Sequence, residues 1–134
     1  MAYRGTRHLL AIATFVTLVA CKGMQALYQL QQGLAAEFQS AEVSVNVYNG
    51  RALTVTFWNS PFGDLRGDSQ TAFCRHAAEY VRDHYPGYEE LQTIAVAFAT
   101  RQAVGPVSMT HSETACSFNR SGLGEPVAAS KAKT

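Results

Sequence analysis

The 134-residue chain lacks most of the features that announce a function from sequence. Charged residues make up 16% of it and the net charge is +1, so no basic stripe is present to hold a nucleic-acid backbone. No run of apolar residues reaches the roughly 20 needed to cross a bilayer as a helix. Repeats of solenoid length, a glycine-rich phosphate loop and a strand–nucleophile–helix elbow are all missing. The four histidines and three cysteines never fall at HxxxH or CxxC spacing. A metal centre would need His76, His84, His111 and a carboxylate to converge from separate elements. The expectation is therefore no catalytic set, no metal, no cofactor and no nucleic-acid partner.

What is present is concentrated at the start. Arg4, Arg7 and His8 precede an apolar run from Leu9 to Ala20, the two parts of an export signal. An ordinary signal peptidase site needs a small residue at the third-last position before the cut, and Leu18 stands there. The tetrapeptide Leu18-Val19-Ala20-Cys21 instead resembles a bacterial lipobox. That resemblance implies cleavage before Cys21, with residues 1–20 as the signal peptide, and lipid and acyl groups on Cys21. It also implies attachment of the mature protein to the periplasmic face of the cell envelope through that lipid. Lys22, where an Asp would signal inner-membrane retention, points to the outer membrane more than the inner. Residues 21–121 then form one small domain, and the Gly-, Pro-, Ala- and Lys-containing segment 122–134 reads as a disordered tail.

Within the domain, Leu27, Leu30, Leu34 and Phe38 recur at helical spacing. From Val43 the period changes to two: Val43, Val45 and Val47, then Leu53, Val55 and Phe57, alternate with polar residues as in half-buried strands. A two-residue turn at Asn49-Gly50 would put the two apolar sets on opposite faces. A three-residue loop, Tyr48-Asn49-Gly50, pairs Val45 with Leu53 and Val43 with Val55, and is the predicted register. The segment 60–67 reads as a loop, after which Asp68 or Ser69 is expected to cap a second helix with Phe73, Ala77, Tyr80, Val81 and His84 or Tyr85 buried. A turn leading into that cap also accounts for the Arg66-Gly67-Asp68 triplet. Pro86-Gly87 ends the helix. Residues 91–100 and 107–118 read as two further strands, the last changing phase near 112–114 through a bulge.

The order helix, hairpin, helix, hairpin predicts an α+β two-layer sandwich (αββαββ), its two helices on one face of a four-stranded antiparallel sheet. The alternating pair of strands over 43–57, followed by a helix and a strand, is similar to a BON domain, a small exported or membrane-associated module. That likeness covers less than half of the chain, and it lacks the glycine of the second strand.

Two expectations concern contacts. The outward positions Thr54, Thr56, Trp58, Ala95 and Ala97 carry no charge, and a flat face of small residues with one Trp suits a protein partner, either a second copy or an envelope component. With Cys21 lipidated, Cys74 and Cys116 remain as a candidate disulfide in an oxidising compartment. Counting strand residues places them far apart, and only a bend in the fourth strand would reunite them. The leading functional expectation is a non-catalytic, lipid-anchored envelope protein acting through protein–protein contact. The alternative is a small envelope enzyme or sensor using Cys74, His76 or His84.

Overall fold

A computed structural model describes residues 23–124. Cys21 and the three residues before it, Leu18, Val19 and Ala20, lie outside the described residues, as does the segment 125–134. Helix α1 covers residues 23–37 and buries Leu30, Leu34 and Phe38, three positions of one apolar stripe. The chain reverses through Gln39, which has a left-handed backbone (φ 49°), and Ser40 N–H closes back on the Ala35 carbonyl at 2.9 Å.

Strands β1 (Val43–Tyr48) and β2 (Ala52–Trp58) form an antiparallel hairpin that pairs Val45 with Val55 and Val43 with Phe57. The register differs by two residues from the predicted one. Asn49 and Gly50 both adopt positive φ (54° and 69°), as a tight two-residue turn requires, and Arg51 N–H reaches the Tyr48 carbonyl at 3.0 Å. Arg51 is then the extra residue that restores the phase, because Tyr48 pairs with Ala52. The apolar sets still share a face, since a shift of two preserves sidedness. Arg51 is not wasted as a bulge: its carbonyl accepts from Gln92 N–H at 2.7 Å, stitching the turn to the start of the next strand.

A 3₁₀ turn (Pro61–Asp64) leads to helix α2 (Gly67–His84). Neither Asp68 nor Ser69 caps it. The helix starts two or three residues earlier, after Arg66, which makes no side-chain cap bond. The Arg66 guanidinium instead donates to the carbonyls of Gly63 (2.8 Å) and Leu65 (2.7 Å), and so braces the loop. Asp68 sits in the first turn, where a carboxylate favours the helix dipole. A second 3₁₀ turn (Tyr88–Glu90) precedes β3 (Thr93–Val104), β4 (Val107–Asn119) and a short helical turn, α3 (Arg120–Leu123).

The fold is α+β, with a four-stranded mixed sheet in the order β1-β2-β3-β4 and three helices. The expected all-antiparallel sheet is corrected at its centre: β2 and β3 run parallel, Val55 beside Val96 and Phe57 beside Phe98. The physical reason is the 18-residue helix between them. A crossover helix returns the chain to the end of the sheet from which β2 started, so the next strand repeats its direction. Side chains of α1 and α2 join the inward residues of β1, β2 and β3 in one apolar cluster that includes Leu34, Phe38, Val55, Phe57, Phe73, Val81, Ile94 and Val96.

In β4 the register with β3 shifts between Val96 and Ala97: Cys116 pairs with Val96, but Thr114 pairs with Ala97. Ala115 is the unpaired extra residue, just past the expected bulge, and it brings Cys116 and Phe118 onto the core side. Cys74 and Cys116 form a disulfide, with Cα atoms 6.3 Å apart. The strand count misled because it started β4 level with helix α2. Val107 in fact stands far out beyond the sheet, and nine residues carry the strand back to the middle of the helix.

The expected domain end at 121 falls inside α3. Leu123 is buried in the core, its carbonyl accepts from Arg82 Nη1 at 2.6 Å, and the Tyr88 hydroxyl donates to the Gly124 carbonyl at 2.7 Å. Burial pushes the Tyr88 phenol up from its ordinary value, with Arg82 and Arg120 opposing.

Candidate functional site

The pairings define two ends of the domain. At one end Val43, Phe57 and Phe98 stand side by side. Phe38, closing α1, packs there against Phe57 (5.4 Å between ring centres) and Phe73 (4.9 Å). Helix α1 therefore begins at the opposite end, beside the Tyr48–Arg51 turn and the starts of β2 and β3. Gly33 fits between, since a Cβ at this position would collide with the Tyr80 hydroxyl of α2.

Beyond Phe98 the sheet narrows. β1 and β2 have 6 and 7 residues, whereas β3 and β4 have 12 and 13, so residues 100–111 continue alone as a two-stranded arm. Every residue from Thr100 to Thr114 is exposed. The arm keeps strand alternation: Val104 and Val107 pair across the Gly105-Pro106 turn and Met109 pairs with Gln102. Its apolar side chains have nothing above them.

Six large apolar or aromatic side chains of the described residues are exposed, at 59% to 74%: Met24, Tyr28, Tyr48, Val104, Val107 and Met109. They divide three and three. Val104, Val107 and Met109 are at the arm tip; Met24 and Tyr28, on the first turns of α1, and Tyr48, beside the β1–β2 turn, mark the opposite end.

At the root of the arm a cavity of about 280 Å³ opens between the loop at 60–66, the start of α2 and the inner side of β3 and β4. Phe98 contributes its floor, and Asp64, Arg66, Gln70, His111 and Glu113 surround it. The enzyme-or-sensor alternative would act in a pocket between α2 and the loop at 60–67, and this cavity lies there, but Cys74, His76 and His84 do not line it. Cys74 is buried and disulfide-bonded, so it presents no thiol. His76 is solvated, with Nε2 3.1 Å from Glu37 Oε1 and its ring 4.7 Å from that of Phe38. His84 lies two turns further on, stacked on Tyr80 at 3.9 Å, and its Nδ1 is the donor to the Tyr80 carbonyl at 2.9 Å. The three residues are not brought together. Among the described residues no group of three His, Cys, Asp or Glu side chains is placed to hold a metal ion.

The five positions expected to form a contact face, Thr54, Thr56, Trp58, Ala95 and Ala97, do alternate with the core residues of β2 and β3. Their surroundings differ from expectation in one respect. The Arg101 guanidinium lies over the Trp58 ring, 4.5 Å from its centre, and pairs with Glu42 at 3.6 Å, so the face carries a charge. Trp58 Nε1–H donates to Ser44 Oγ at 3.0 Å. Both the polar edge and the π face of the indole are thus engaged within the chain, and Thr56, Ala97 and Ala99 are buried around it. Thr54 and Ala95 remain partly open.

Comparison with family models, curated proteins and solved structures finds no match for this chain. Sequence reasoning missed the arm and the residues that line the cavity at its root. The signal for the arm was available: Val104, Val107 and Met109 continue the alternation past the point where β1 and β2 have residues left to pair with.

Proposed function

We propose that this chain is a lipid-anchored bacterial envelope protein with a binding or structural role, working through protein–protein contact at the β3–β4 arm. The observation that carries the reading is the arm tip, where Val104, Val107 and Met109 stand exposed on a ribbon with no packing role in the domain. A protruding strand pair with apolar side chains and an unpaired edge is costly in water unless a partner covers it. Support for the anchor comes from the lipobox-like Leu18-Val19-Ala20-Cys21. The partner is an envelope component or a second copy. The two helices would form the layer on the other side of the sheet.

The test uses the full-length protein, expressed with its signal and cross-linked in intact membranes. Wild type should give a discrete cross-linked product, heterologous or dimeric, that a Val107→Ser/Met109→Ser variant with unchanged melting temperature loses. An undiminished product from that variant would remove the arm from the reading. Intact-mass analysis showing an unmodified Cys21 would remove the anchor.

A further inference from the structure

The division of the exposed apolar side chains between the two ends bears on how the domain stands. The end that carries Met24, Tyr28 and Tyr48 is also the end from which the chain leads back, through Lys22 alone, to Cys21. Resting on the anchoring proposed above, we infer that this end is seated on the lipid surface, so that the arm points away from the membrane.

Three observations converge on lipid as the occupant. The first is chain length: with one residue between Cys21 and the described helix, no linker exists to lift α1 clear of the bilayer. The second is side-chain type. Met24 and Tyr28 are four apart and share one helix face, about 6 Å apart along the axis. Tyr48 stands at the same end on the other side of the sheet, and Tyr is the residue whose apolar ring and polar tip suit the headgroup boundary. The third is charge. Residues 23–36 include no Lys, Arg, Asp or Glu, so the first turns of α1 meet lipid without burying a charge. Arg51, exposed in the turn beside Tyr48, can reach headgroup phosphates, while Glu89 and Glu90 on the neighbouring 3₁₀ turn offset it. Seating thus depends on insertion of apolar groups, and salt should affect it little.

The geometry fixes the reach. From residue 23 to Phe38 the helix rises about 22 Å at 1.5 Å per residue. From Phe98 to Val104 the arm adds about 20 Å at 3.3 Å per residue. The apolar tip is therefore presented roughly 40 Å from the bilayer, beyond the headgroups and available to a partner outside the membrane.

The experiment exploits the single Trp of the chain, Trp58, which lies at the far end of β2. Full-length lipidated protein is reconstituted into vesicles with and without brominated lipid, as wild type, Tyr28→Trp and Tyr48→Trp. Trp58 emission should be unaffected, whereas the emission added by each new Trp should shift to the blue and fall about twofold, as for an indole at the headgroup boundary. Protein that floats with the vesicles while the added Trp stays unquenched would overturn the seating and leave the anchor standing. Equal quenching of Trp58 would mean that the domain lies on its side, and would overturn it too. Failure to float with vesicles at all would overturn the anchoring reading and this inference with it.

Discussion

The two hairpins share a topology and differ in what they were built to do. The β1–β2 hairpin stops where helical cover stops: its 6 and 7 residues span the sheet, and the Asn49-Gly50 turn follows directly. The β3–β4 hairpin is packed as far as Phe98 and then runs on into water as the arm. Within the single strand β3, Ile94 and Val96 are buried core residues and Val104 is exposed. A strand that continues past its core is not explained by folding stability, since its exposed half buries almost no apolar surface. On the reading proposed above, stability and partner contact would occupy different halves of the same hairpin.

The first way to break that comparison is to strike the packed half. Phe73 of α2 meets Phe38, Phe57, Phe62 and Phe98, with ring centres 4.6 to 5.6 Å apart, so it is the hub of the aromatic cluster beneath the root of the arm. Phe73→Ala should cost about 3–5 kcal/mol in denaturant melts, the loss of transfer energy plus a cavity. His76→Ala, one turn along the same helix, removes a solvated ring and its contacts with Glu37 and Phe38, and should stay within about 1 kcal/mol. Comparable losses would mean that the helix is held by something other than its apolar stripe.

Next in size is the disulfide. Cys74 and Cys116 are 42 residues apart in sequence, and closing a loop of that length in the unfolded chain is worth about 4 kcal/mol on the chain-entropy estimate. The Cys74→Ala/Cys116→Ala double variant should therefore lose about 2–4 kcal/mol of stability, and reductant should lower the melting temperature of wild type but not of the variant. The bridge pins β4 just after its bulge at Ala115, opposite Val96 and inside the packed half of the hairpin. If the variant melts like wild type, β4 is held by pairing with β3 alone.

How much of this was legible follows from which interactions are local. The helix stripes and the alternation of Val43 to Phe57 are visible in sequence because burial imposes a period of 3.6 or 2 on neighbouring residues. The left-handed Gly50 was legible, but the left-handed Asn49 belongs to the two-residue turn that alternation alone rejects. The bulged Arg51 that reconciles that turn with the alternation was not legible, because its carbonyl is satisfied by Gln92 and Thr93, some forty residues away. The parallel pairing of β2 with β3 was implied by the helix between them and by the apolar run Ile94-Ala95-Val96-Ala97-Phe98-Ala99, which lacks the polar alternation of an edge strand. The cavity was hidden for another reason. Asp64 and Arg66 come from one loop, Gln70 from α2, and His111 and Glu113 from β4, and no sequence spacing relates them.

The sharpest form of the comparison lies within β3, and it has the smallest expected effect. Val96 and Val104 have the same side chain on the same strand, at even spacing and so on the same face. Val96→Ala removes two buried methyl groups and should cost about 2–3 kcal/mol. Val104→Ala removes the same atoms from water and should change stability by less than about 0.5 kcal/mol, with alanine's poorer fit to a strand as the only loss. The pair is informative because intrinsic strand propensity is the same at both sites, which leaves burial as the difference. If Val104→Ala instead destabilises the isolated protein by more than about 1 kcal/mol, the arm tip is packed against the chain's own surface in solution. Val104, Val107 and Met109 would then belong to the core's stability and not to a contact with another molecule.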